Sequence, residues 1–147
     1  MLKTVNIHET GAGSVTVGLP YLPGGYPPDP DLKTHRVYFI YCAGFIKIGQ
    51  ARRKRVVARM GEIQVGNPFN VQVLLLVPGG RLTEDYHQSV FREYHARGEW
   101  FYLEGYLEEM IRNEAPPEIS GWLDEEIAKH RAWVKREAEL LDPQRVP

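Results

Sequence analysis

Two side chains in this sequence have the types and spacing to do chemistry. Tyr38 and Lys47 flank Ala43-Gly44. A two-residue turn at Ala43-Gly44 would set residue 38 opposite 49, 40 opposite 47 and 42 opposite 45. Side chains alternate along a strand. Tyr38, Ile40, Cys42, Phe45, Lys47 and Gly49 therefore share one face, and Val37, Phe39, Tyr41, Ile46 and Ile48 share an apolar, core-type face. Tyr38 and Lys47 become diagonal neighbours. With only glycine opposite the tyrosine, a phenol and an ammonium stand beside open space that could receive an anion. A half-buried tyrosine next to a surface lysine is the plainer alternative.

These residues must be positioned by a small set of elements. Residues 37–42 and 45–49 read as two strands, 52–65 as a helix ended by Gly66-Asn67-Pro68, and 71–77 as a third strand closed by Pro78-Gly79-Gly80. A second helix is expected over 81–97, capped by Gly80 or Thr83 and stopped by Gly98. A short helix follows over 103–113, and a long one over 120–141 places Leu123, Ile127, Val134 and Leu141 near one stripe. Ahead of all this, 4–7 and 14–18 look like short strands, and seven Pro and Gly residues between Pro20 and Pro30 make an irregular linker. Because the first two strands form a hairpin, the class is α+β and not a doubly wound sheet. The expected layout is an N-terminal extension over 1–32, a core over 33–114 and a C-terminal helical segment over 115–147.

At 147 residues, with 43% apolar and 25% charged residues, the chain has the composition of one ordinary globular domain. Its single cysteine, Cys42, excludes an internal disulfide and a multi-cysteine zinc site, and fits a reducing compartment. No secretory leader is visible and no apolar run approaches bilayer length, so the expectation is a cytoplasmic protein without a membrane partner. Net charge is only −1, but the distribution is uneven. Residues 33–61 hold eight Lys or Arg and no acid, whereas 81–147 hold nine basic and fifteen acidic residues. Such asymmetry suggests a polyanion for the basic segment.

The run Val37-Tyr38-Phe39-Ile40, then Ile46-Lys47-Ile48-Gly49, Arg59, Glu84 and Gly98-Glu99-Trp100-Phe101 resembles the GIY-YIG endonuclease superfamily. It is most similar to the phage and bacterial branch that carries IKIG and GEWF motifs, over about residues 36–104. The resemblance implies a small three-stranded antiparallel sheet flanked by helices. It also implies phosphodiester hydrolysis with one divalent metal, Mg²⁺ or Mn²⁺, and DNA as the partner. By position, Tyr38 matches the family's general-base or water-orienting tyrosine. Lys47 stands where most relatives have the second tyrosine. Arg59 matches the helix arginine that meets the scissile phosphate, and Glu84 the metal-binding glutamate. The first motif keeps only its tyrosine, and Gln88 stands where this branch usually has histidine, with His87 one place earlier.

Phosphodiester hydrolysis needs a nucleophilic water, neutralisation of the pentacoordinate phosphate and help for the leaving oxygen. Glu84 can offer one hard oxygen to a metal that keeps its other ligands as water and substrate. Lys47 and Arg59 offer fixed positive charge. On a helix over 52–65, Arg52, Arg55 and Arg59 would share a face that could track a phosphate backbone, with His87 and Gln88 as further nucleic-acid contacts. The flanking segments could add packing, homodimer contacts or substrate preference. A catalytically silent nucleic-acid-binding module is the alternative.

Overall fold

The computed structural model describes residues 28–141, with side chains through His130. The strands expected at 4–7 and 14–18, most of the linker, and the side chains of Trp133, Val134 and Leu141 lie outside the described residues. The elements are β1 (His35–Cys42), β2 (Phe45–Arg52), α1 (Val56–Val65), β3 (Gln72–Pro78), α2 (Arg81–Val90), β4 (His95–Arg97), β5 (Trp100–Tyr102), α3 (Gly105–Glu114) and α4 (Pro117–Leu141). Short 3₁₀ turns at Arg53–Arg55 and Arg92–Tyr94 join two of the junctions.

The hairpin forms in the expected register, with Tyr38 opposite Gly49, Ile40 opposite Lys47 and Cys42 opposite Phe45. Its turn holds Ala43 at φ 50° and Gly44 at φ 94°, the left-handed pair that a primed two-residue turn requires. The α+β class holds, but the sheet has five antiparallel strands in the order β3-β1-β2-β5-β4, not three. The difference lies in 91–102. The second helix ends at Val90 rather than running on to residue 97, and His95–Arg97 folds as a strand. Gly98 at φ 57° turns that strand back, and β5 then docks on β2 with Lys47 beside Trp100. The first helix is also shorter than expected, because β2 continues through Arg52 and α1 begins only at Val56.

Two cores sandwich the sheet. On one face Val37, Phe39, Tyr41, Ile46, Ile48, Leu75 and Phe101 pack with Phe91, with Leu107, Met110 and Ile111 of α3 and with Ile119 and Leu123 of α4. Trp122 meets Tyr41 edge-on at 5.4 Å, a packing role rather than a nucleic-acid one. On the other face Tyr38, Ile40, Cys42, Val73 and Leu76 pack under Val56 and Met60 of α1.

Helix α2, which carries Glu84, is held by a residue far away in the chain. Its N-cap, Gly80, has no capping side chain of its own. Instead Asp29 Oδ2 accepts the Gly80 N–H at 2.8 Å, the Thr83 N–H at 3.0 Å and the Thr83 hydroxyl at 2.6 Å. Burial pushes the Asp29 carboxyl up, but the Thr83 hydroxyl and the Asp31, Gly80 and Thr83 amides outweigh it and hold it below the ordinary 3.8. The sign follows from linkage. This stabilisation is present above the unfolded carboxyl's pKa and is lost as pH falls through the folded one. Asp29→Ala should cost about 1–2 kcal/mol at neutral pH, the upper range for a lost helix cap. Urea unfolding at pH 7 and pH 3 checks this, with the deficit expected to shrink at pH 3.

Candidate active site

Each site residue comes from a different element. Tyr38 sits in mid-β1, between Leu76 of β3 and Gly49 of β2. A Cβ at position 49 would land on the Tyr38 hydroxyl and its ring carbon. The open space expected opposite the tyrosine is thus filled by its own ring, and only glycine allows that approach. Tyr38 is 2% exposed. Burial pushes its phenol up to about 12. The Arg59 guanidinium pulls it back by charge and by a side-chain hydrogen bond, while the Glu99 and Glu84 carboxylates push it further. At neutral pH the phenol keeps its proton.

Arg59 projects from α1, whose Val56 and Met60 are anchored in the core beneath. Its Nε lies 3.4 Å from Glu62 Oε2, outside hydrogen-bond geometry, and it is a buried donor with no acceptor among the described residues. Lys47 Nζ donates to Glu99 Oε1 at 2.9 Å and lies 5.4 Å from the centre of the Trp100 ring. Glu84 lies in the first turn of α2. Burial, then the Glu99 and Asp85 carboxylates, push it up to about 7 against the pull of Arg81 and Lys47. Gln88, one turn later on the same helix face, donates to Ile48 O at 2.9 Å and pins α2 to β2. The Ile48 N–H is taken by Glu99 O at 3.0 Å.

Tyr38, Lys47, Arg59 and Glu84 are therefore brought into one electrostatic neighbourhood, with the Arg59 and Glu84 charges acting on Tyr38 and the Lys47 charge on Glu84. Glu99 belongs to it too, and its role was not anticipated. The signal for it was the Gly98-Glu99 pair between His95-Ala96-Arg97 and Trp100-Phe101-Tyr102, which is a hairpin turn and not a helix stop.

Other expected contacts need correction. His87 cannot touch nucleic acid. It is wholly buried, its Nδ1 pairs with Thr83 O at 2.8 Å, and its ring packs edge-on against Phe39 and Tyr86. Burial lowers its pKa to about 4, against the pull of the Thr83 carbonyl. Unfolding lets the ring take up a proton below about 6.5. The contribution of His87 to stability should thus be complete above that value and decline as pH falls from 6.5 to 4, by about 3 kcal/mol. Denaturant midpoints of the wild type and of His87→Phe between pH 7.5 and 4 test this in their difference, because the raised Glu84 carboxyl changes stability with the opposite sign over the same range. Arg52 is a strand residue and Arg55 belongs to the 3₁₀ turn, so no three-arginine helix face exists. Both side chains are exposed, and Arg55 pairs with Glu62 at 2.9 Å. Arg36, counted in the basic segment, is buried and donates to Leu32 O and His35 O.

Among the described residues no three His, Cys, Asp or Glu side chains gather closely enough to hold a metal ion. The Glu84 carboxylate feels the charge of Glu99, while Glu99 itself is held by Lys47 at 2.9 Å. Mg²⁺ needs few protein oxygens, and the Glu84 carboxylate, which makes no ion pair as close as that of Glu99 with Lys47, could offer one. Among the described residues no helix is long and apolar enough to cross a membrane. No family model, no curated protein and no solved structure matches the chain.

Proposed function

We propose that the chain is a divalent-metal-dependent endonuclease that hydrolyses phosphodiester bonds in DNA. The observation that carries this is the electrostatic linkage of the four residues, in which the Arg59 and Glu84 charges act on Tyr38 and the Lys47 charge acts on Glu84. Arg59, with an unfilled buried donor, and Lys47, on its aromatic platform, are the groups that receive the phosphate. Tyr38 is reached when Arg59 exchanges the phenol for a phosphate oxygen, and the freed hydroxyl then orients the attacking water. A phenol near pKa 12 suits a hydrogen-bonding role better than that of a general base. Glu84, with Glu99 beside it, would hold Mg²⁺ or Mn²⁺, which supplies Lewis acidity and an activated water.

The second reading, a nucleic-acid-binding module without catalysis, is favoured by one contact. Lys47 is already paired with Glu99, which reduces its charge for a phosphate. Incubating the full chain with end-labelled single- and double-stranded DNA in Mg²⁺, Mn²⁺ or EDTA separates the two. Metal-dependent internal cleavage is expected. Binding without cleavage in every metal would support the silent module.

A further inference from the structure

A cavity of about 300 Å³ opens beside the candidate active site, at the hairpin end of the same sheet face. Phe45, Phe69 and Trp100 form aromatic walls, and Cys42, Ala43 and carbon atoms of Asn67 and Arg97 complete a lining that is almost wholly apolar. Trp100 links the two places, because the ring that lines the cavity also lies under Lys47 Nζ. Phe45 is 37% exposed and Phe69 54% exposed, more apolar ring surface than the core requires. Asn67 Oδ1 is committed on both sides, accepting from Cys42 Sγ at 3.3 Å and from the Phe69 N–H at 3.2 Å.

We propose that this cavity takes one unpaired nucleobase, that of a nucleotide adjoining the phosphate held by Lys47 and Arg59. The inference rests on the nuclease reading and makes it more specific. A flat heteroaromatic ring suits aromatic walls, and stacking accepts any base because every base has a π face. A base locked in a duplex cannot enter, so the substrate is single-stranded, frayed or gapped at this nucleotide.

The test compares binding of the full chain, in EDTA, to a fluorescent single-stranded 12-mer and to a wholly abasic strand with the same number of phosphates. The base-bearing strand should bind about tenfold more tightly. Phe69→Ala removes a half-exposed ring and should erase most of that preference, with circular dichroism and the salt dependence of binding unchanged. Phe45→Ala should act the same way. Equal affinity of the wild type for the two strands, or a full preference retained by both variants, overturns the cavity assignment and leaves the nuclease reading standing. Failure to bind either strand overturns both.

Discussion

Glu84→Gln should reduce cleavage by about 10³-fold while DNA binding persists or tightens slightly. The substitution keeps the shape of the side chain and removes the anionic ligand. It also removes one negative charge near the phosphate, the origin of the tighter binding. The folded protein should tolerate it well. With its pKa raised to about 7 by burial and by Glu99 and Asp85, ionised Glu84 opposes folding. Its folded pKa lies above the unfolded value, so stability is complete below about 4.5 and declines as pH rises through 7. The glutamine variant should therefore resist urea at least as well as wild type at pH 8, and the gap should close at pH 4. Cleavage at a near wild-type rate would remove Glu84 from the chemistry. Loss of folding would make it a structural residue.

Tyr38→Phe should slow cleavage by about 10²-fold and change stability by less than about 1 kcal/mol. The ring keeps its packing against Gly49 and in the core with Ile40 and Leu76. The lost partner, Arg59, has a half-exposed side chain that water can resolvate. The pH profile adds a sharper discrimination. A phenol that acts while protonated contributes no inflection between pH 6 and 10, whereas a phenolate base would raise the rate tenfold per pH unit. Single-turnover rates over that range decide between them. Normal cleavage by Tyr38→Phe would leave the hydroxyl without a function.

The hairpin was legible because its information is local. Alternation from residue 37 to 49 and one small two-residue turn suffice to set the register and both faces. Tyr38, Lys47 and Glu84 could be placed on their elements from this and from the Gly79-Gly80 break. What could not be read was longer in range. The cap of α2 comes from Asp29, more than fifty residues away, so Gly80 and Thr83 looked like the whole cap. Residues 91–97 carry a helix-compatible pattern after Arg81–Val90. They turn into a strand because Phe91 and Phe101 fill one core and Trp100 pairs with Lys47 on β2. That tertiary demand brought Glu99 to Lys47. His87 followed the same logic in reverse. A histidine next to a candidate site residue looks functional until the helix rotation, fixed by Phe91, turns it inward.

The rims of the sheet govern how copies of this chain meet. An open strand edge is a template on which another chain can add a strand, the first step toward fibrils. Here β4, one outermost strand, is three residues long and presents His95 and Arg97. At the other rim every residue of β3 is buried, the strand ends at Pro78, and α3 lies against it. Among the described residues neither margin offers a long, bare, hydrogen-bonding ladder. Concentrating the protein should therefore not feed sheet-to-sheet polymerisation through these two rims.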